Sequence, residues 1–375
     1  METAPLRVAL AGGGTGGHVV PGLHLLAHAK RRERATDVLW FGAGRAIEDR
    51  VFAGGARNEE GVGAIRRVAL ALEPPRGGAP SRLRLAATIA PAVLQARRAM
   101  ARQRTSVCVG LGGYTVVPAA SAARSLGIPV VLLEVNAQAG LATRWLSRIA
   151  HVVAHAWPTS VPEGGQENHV VLGPPLGPRF LDPTPAGAEV DLLRRGLGLE
   201  PGTPLLVVLG GSQGALGLNR FCRERAGAFV DRGLQVLHQV GPGRLAEAGP
   251  ERAGYHPIEF LDDVCSALDA ADVVLCRGGA STLAEVAARA KPAFVVPYPH
   301  HADRHQEKNA LLFGDGLRIL PEEDLGDDAF EEMVALALPG GAAERARRSS
   351  LLAQQTPRDG AHRLLDLVLD TIETV

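Results

Sequence analysis

The sequence carries no excess charge of either sign: Lys+Arg and Asp+Glu each number 40, so the formal net charge is zero. That speaks against a dedicated nucleic-acid binder, which is usually strongly basic. Cysteine is sparse. Cys108, Cys222, Cys265 and Cys276 form no Cys-x-x-Cys pair and have no histidines at zinc-ligand spacing. They read as buried free thiols of a reducing compartment. No run reaches the ~18–20 uninterrupted apolar residues of a membrane span. Met1–Arg7 is too short and too polar for a signal peptide, and strand-like sequence begins at Val8. The expected location is therefore the cytoplasm, at most lying on a membrane. Asp-x-Asp, the pattern that chelates a diphosphate-bound metal, is absent. No cofactor or protein-bound metal is expected.

What is present is apolar sequence in regular alternation. Apolar residues make up 46% of 375, enough for sizeable cores, and the length favours two domains. In the first half, strand-like runs at 6–11, 38–41, 65–72, 106–110, 129–134 and 151–154 alternate with helical stretches at 21–34, 82–103 and 116–126. That spacing implies a doubly wound parallel sheet with ligand-bearing loops at the carboxyl ends of its strands. Pro174, Pro175, Pro178, Pro183 and Pro185 then interrupt the pattern and read as a linker. The alternation restarts, with strands at 204–209, 235–239, 272–276 and 293–296 and helices at 218–231, 264–270 and 282–290. The expected domains are 1–168 and 169–356. The amphipathic tail 357–375, bearing Leu364, Leu365, Leu367, Val368 and Ile372, is expected to pack back on the first.

Four segments carry chemistry. Gly12-Gly13-Gly14-Thr15-Gly16-Gly17-His18 joins a strand to a helix, so a ligand can approach its amides and the helix start favours negative charge. A dinucleotide fold would place an acid near the end of the next strand, where Phe41-Gly42-Ala43-Gly44 stands instead. His18 reads either as a helix-start residue or as a general base. Gly210-Gly211-Ser212-Gln213-Gly214 repeats the strand–glycine–helix arrangement, and its amides and the Ser212 hydroxyl can cradle phosphate. Arg277-Gly278-Gly279-Ala280-Ser281-Thr282 leads into a helix bearing Glu285, whose carboxylate can accept both hydroxyls of a ribose diol. Pro297-Tyr298-Pro299 precedes His300, His301, Asp303, Arg304, His305, Gln306 and Asn309, a set better suited to sugar hydroxyls than to a metal.

These segments resemble the peptidoglycan-precursor N-acetylglucosaminyltransferases, the MurG type of the GT-B superfamily. The resemblance runs through 13–22, 109–149, 210–219, 238–243 and 260–310, in order and spacing. It implies an α/β GT-B fold of two doubly wound Rossmann-like domains with an interdomain cleft. It implies inverting transfer of GlcNAc from UDP-GlcNAc to the C4 hydroxyl of MurNAc in lipid I, giving lipid II. By motif, the donor site comprises Ser212, Gln213, Arg277, Gly279, Ala280, Thr282, Glu285, His305 and Gln306. The acceptor side comprises Gly13, Gly14, Thr15, Gly16, Gly17, Tyr114 and Asn136, with the loop amides facing the lipid diphosphate. The base is His18, with Glu134 as alternative. Four positions depart from the family pattern: Val135 replaces a glutamine, Gly173-Pro174-Pro175-Leu176-Gly177 lacks a donor-site arginine that Arg179 follows two residues late, the Arg277-Gly278-Gly279 loop has glycine where serine is frequent, and His305, a minor change, stands where many members have His or Gln.

A lipid-linked acceptor implies a peripheral position on the cytoplasmic face of an anionic membrane, with cell-wall assembly proteins as neighbours. Arg82-Leu83-Arg84-Leu85, Ile89, Val93, Leu94, Arg97, Arg98, Arg102 and Arg104 suit such a surface, and equally a core helix with a solvated charged face. Three other readings stay open: a GT-B transferase with another acceptor, a UDP-GlcNAc 2-epimerase, and a non-catalytic cell-wall scaffold.

Overall fold

Strands buried on both faces need helices on both sides, and that requirement organises each half of the chain. The structure, a computed structural model, describes residues 5–58, 65–70, 72, 82–165, 167–300 and 303–374, with the backbone alone for 54–58 and 82–88. His301 lies outside the described residues. Two units form: Met1–Pro178 with Asp359–Val375, and Arg179–Arg358.

The first unit holds β1 (Leu6–Ala11), β2 (Thr36–Gly42), β3 (Ile65–Ala69), β4 (Val107–Gly110), β5 (Val130–Glu134), β6 (Val152–His155) and β7 (His169–Val171). All pair in parallel in the order β3-β2-β1-β4-β5-β6-β7. Its helices are α1 (Val20–Arg31), α2 (Ala46–Asn58), α3 (Arg82–Gln103), α4 (Val116–Ser125) and α5 (Leu141–Leu146). Leu39, Phe41, Met100, Val116 and Val153 lie in one buried core. On α3, Ala92, Ala96 and Met100 turn inward while Leu94 is 46% exposed. Over 89–103 the apolar face of α3 is thus largely core, and the side chains of 82–88 lie outside the described residues. Arg97 donates to Ser125 O and Oγ at the end of α4.

The second unit holds β8 (Leu205–Leu209), β9 (Gln235–Gln239), β10 (Tyr255–Ile258), β11 (Val273–Cys276), β12 (Ala293–Val295) and β13 (Leu317–Ile319), parallel in the order β10-β9-β8-β11-β12-β13. Its helices are α6 (Ala188–Gly196), α7 (Leu216–Asp231), α8 (Leu245–Ala248), α9 (Val264–Ala270), α10 (Ala280–Ala288), α11 (His305–Leu311), α12 (Asp327–Ala337) and α13 (Ala342–Gln355). Phe229, Phe294, Phe330 and Met333 anchor its core.

Both sheets reverse strand order between their first and fourth strands, at β1/β4 and β8/β11. Ligands bind open α/β sheets at such a switch point, outside the carboxyl ends of the strands. The four glycine-rich loops after β1, β4, β8 and β11 all start there.

The boundary after 168 is corrected. β7 pairs with β6 and closes the first sheet, so that unit runs to Pro178. The remaining prolines belong to the second unit, where the buried Arg289, paired to Asp269, donates to Asp182 O at 2.9 Å. Three-residue β7 and β13, and β10 with Pro257 inside it, are too short or irregular to read from sequence. The tail forms α14 (Gly360–Thr374), which returns to the first unit. Leu364, Leu365 and Val368 are buried there, Arg32 pairs with Asp366 at 2.6 Å, and Arg363 donates to Leu172 O.

Candidate active site

In the first unit, the loop after β1 runs Gly12 to Thr15 and closes in a 3-10 turn, Gly16–His18. Trp40 Nε1 donates to Gly12 O at 2.8 Å and anchors the loop to β2. His18 Nδ1 lies 3.3 Å from both Gly13 O and Thr15 Oγ1. A carbonyl can only accept, so the ring proton sits on Nδ1 and Nε2 is the basic nitrogen. The ring packs on Gly112 and Gly113 after β4. A Cβ at Gly113, where φ is +78°, would stand 3.0 Å from Nδ1 and 3.2 Å from Gly13 O. Glycine is therefore required beside the histidine. Tyr114 lies over Gly14, and the guanidinium of the exposed Arg45 sits 6.0 Å from its ring centroid.

The expectation for the loop amides needs one correction. Gly14 N donates to Glu48 Oε1 at 2.6 Å, so that amide is already engaged. Thr15, Gly16 and Gly17 follow, with Gly17 exposed. Glu48 also accepts from Ala43 N and Gly44 N and is 5% exposed. The motif places an acid at the end of β2; Glu48 instead reaches back from the first turn of α2, where no sequence signal marks it.

Glu134 is also corrected. Its Oε1 accepts from Asn136 N and Asn136 Nδ2, and its Oε2 from Gly140 N at 2.8 Å and Thr143 Oγ1 at 2.7 Å. At 4% exposed with four donors on it, this carboxylate is occupied in holding the β5 loop to the start of α5 and is not placed to take a proton. Asn136 is part of the same brace.

In the second unit, Gly210–Ala215 is a tight turn in which Gly214 N and Gln239 Nε2 both donate to Gly211 O. Ser212 and Gln213 stand at its tip, with Gln213 exposed. After β11, Gly279 caps α10 without any side-chain hydrogen bond, so Ala280, Ser281 and Thr282 open the helix with their amides. Glu285 lies five residues on, roughly 7–8 Å along the axis. That is the scale of a ribose diphosphate. Glu285 is 8% exposed, no side-chain hydrogen bond from the described residues reaches it, and burial pushes its carboxyl up to about 8.

Gln306 braces this loop: its Oε1 accepts from Gly278 N at 3.1 Å and Tyr298 N at 2.9 Å, leaving Nε2 as the atom able to meet a sugar. A Cβ at Gly278 would fall 2.3 Å from Gln306 O, so glycine lets α11 close on the loop. Arg277 is a correction. It donates to Val296 O at 3.0 Å, pairs with Glu322 and lies 5.8 Å from the Tyr298 ring centroid, which makes it a brace for the β12 loop. His305 Nδ1 faces Asp303 Oδ1 at 2.9 Å. Arg179 does not act at the loops either: it donates to Asp263 Oδ2 at 2.6 Å and Ser266 Oγ at 2.9 Å, at the start of α9.

Residues 8–155 match the glycosyltransferase family 28 N-terminal domain, and residues 205–363 the glycosyltransferase family 28 C-terminal domain. The chain is 36% identical over 365 residues to the UDP-N-acetylglucosamine--N-acetylmuramyl-(pentapeptide) pyrophosphoryl-undecaprenol N-acetylglucosamine transferase of Clavibacter michiganensis subsp. michiganensis (strain NCPPB 382), covering 97% of this chain and 96% of that one. It is 35% identical to the transferase of the same name from Acidothermus cellulolyticus (strain ATCC 43068 / DSM 8971 / 11B), over 97% of each. Among solved structures, Acinetobacter baumannii MurG aligns with a TM-score of 0.68 over 98% of this chain and 100% of that chain, at 24% identity. A UDP-N-acetylglucosamine 2-epimerase aligns at 0.63 over 99% and 98%, at 15% identity. The structural likenesses speak to fold.

Proposed function

The chain belongs to glycosyltransferase family 28, and from that membership we propose that it transfers GlcNAc from UDP-GlcNAc to undecaprenyl-diphosphate-linked MurNAc-pentapeptide, lipid I, forming lipid II. The observation that carries this reading is identity across 97% of the chain to transferases named for that reaction. An epimerase shares only the fold, at 15% identity.

The donor falls to the second unit. The amides opening α10 and the Gly210–Ala215 loop, with Ser212 and Gln213, take the diphosphate. Glu285 takes the ribose diol, and Gln306 Nε2 with His305 takes GlcNAc hydroxyls. The acceptor diphosphate falls to the Thr15–Gly17 amides beside Tyr114, with Arg45 supplying positive charge. His18 Nε2 removes the proton of the MurNAc C4 hydroxyl as that oxygen attacks the anomeric carbon. The bond to the β-phosphate breaks, and its electron pair leaves with UDP. The α10 start stabilises that charge. The configuration inverts. No protein-bound metal enters this scheme.

On this reading the membrane contact falls to α5 and the residues just after it. Leu141 is 65% exposed and Trp145 64% exposed, one helical turn apart, with the exposed Arg144 and Arg148 beside them. Amphipathic aromatic rings and arginines suit an anionic interface. The α5 surface stands beside α3 as a second candidate. No helix among the described residues is long and apolar enough to cross a membrane.

The test is incubation with labelled UDP-GlcNAc with and without lipid I. Lipid II plus UDP is expected only with acceptor. ManNAc without acceptor would establish an epimerase, and no product in either arm would sink the enzyme reading. His18→Ala should lower kcat by about 10²–10⁴-fold; near-full kcat would remove His18 as base.

A further inference from the structure

Glu48 and His18 touch opposite ends of one peptide bond. The Gly14 N–H donates to Glu48 Oε1 at 2.6 Å, and the carbonyl of the same amide, Gly13 O, faces His18 Nδ1 at 3.3 Å. An amide is a resonance unit, so drawing its N–H toward a carboxylate shifts electron density onto its oxygen. Hydrogen bonds in such a chain polarise one another, most of all where water is excluded. Glu48 is 5% exposed, and Gly12, Gly13 and Gly14 are all buried. The space is cut to fit: a Cβ at Gly13 would stand 2.5 Å from Glu48 Oε1, and one at Gly113 would crowd the Nδ1–carbonyl contact.

We infer that Glu48 is a positioning residue for His18, acting through the Gly13–Gly14 peptide to fix the Nδ1–H tautomer and raise the basicity of Nε2. The arrangement does what a carboxylate on Nδ1 does directly in a Ser-His-Asp triad, with a peptide inserted between the two. Two further amides, Ala43 N and Gly44 N, hold the carboxylate in place. Among the described residues, other charged and titratable groups on the elements around the loop are Arg45, Asp49 and Arg50 by α2, Tyr114 after β4, and His24, His28, Lys30 and Arg31 on α1, where His24 faces Pro175 O. Glu48 bonds the loop's backbone at Gly14. The functional weight of the inference rests on His18 being the base.

The experiment compares wild type, Glu48→Gln and Glu48→Asp. NMR follows the His18 imidazole through its titration, steady-state kinetics give kcat, KM and the pH profile, and thermal unfolding gives stability. Glu48→Gln keeps the shape and loses the charge. Its expected effects are a His18 pKa lowered by about half a unit, kcat lowered about ten-fold, and an unchanged KM for UDP-GlcNAc. Glu48→Asp keeps the charge, and its folded fraction should retain the His18 pKa. An unmoved His18 pKa in Glu48→Gln, with activity lost only in step with the unfolded fraction, overturns the inference. A lowered His18 pKa with no shift in the acid limb of kcat/KM upholds the contact while removing His18 as base.

Discussion

Replacing Glu285 by glutamine should stabilise the ligand-free protein at pH 8 and do little at pH 5. Burial raises the folded-state carboxyl from 4.5 to about 8. The unfolded chain therefore releases this proton first as pH rises. Stability is lost progressively from about pH 4.5 to about pH 8 and levels off above. At 1.36 kcal/mol per unit, the full interval is worth roughly 4–5 kcal/mol. The glutamine amide, like the protonated carboxyl it replaces, is a buried neutral polar group, so its desolvation cancels in the comparison at pH 5. A net gain of roughly 4 kcal/mol at pH 8 remains, roughly 8–16 °C in Tm for a unit of this size. Differential scanning calorimetry of both proteins at pH 5 and pH 8 reads the difference of differences. Saturating UDP should then raise Tm strongly in wild type and weakly in the variant, because the diol loses a carboxylate. A Tm gap that is the same at both pH values refutes the reasoning. So does a variant that gains as much from UDP as wild type.

Glu134→Ala leaves four donors without their acceptor and should cost about 3–5 kcal/mol in unfolding free energy. Its folded fraction should keep the kcat scale of wild type; a loss like that of His18→Ala would restore Glu134 to the chemistry. Gly278→Ser puts a Cβ 2.3 Å from Gln306 O. It should raise the KM for UDP-GlcNAc several-fold, measured at saturating acceptor. Leu141→Asp with Trp145→Ala should abolish flotation with anionic liposomes while leaving turnover of a soluble lipid I analogue intact. Arg97→Glu with Arg98→Glu should reduce flotation less, because Arg97 is held at the end of α4.

Much was legible in the sequence because it is encoded locally. Apolar runs such as 205–209, buried along their whole length, read directly as central parallel strands. Glycine clusters after a strand and before a helix mark where backbone must approach a ligand. Both depend on neighbours in the chain. The tail was legible for the same reason: its stripe of Leu364, Leu365 and Val368 is buried.

Tertiary structure decided what each polar side chain does. Glu134 and Glu285 look alike as motif acids, yet four donors converge on one and no side-chain donor from the described residues reaches the other. Arg277 counts as a donor-site residue by motif and Arg179 follows a missing donor-site arginine in the sequence, yet Glu322 and Asp263 hold them in the fold. Glu48 was invisible because it acts 34 residues from Gly14. By itself the sequence determined the longer strands and helices, the presence of two units and the glycine-rich loops, since periodicity and backbone freedom are written residue by residue. Only the folded chain decided which carboxylates are occupied and which nitrogen of His18 is basic, because those follow from donors brought together through space.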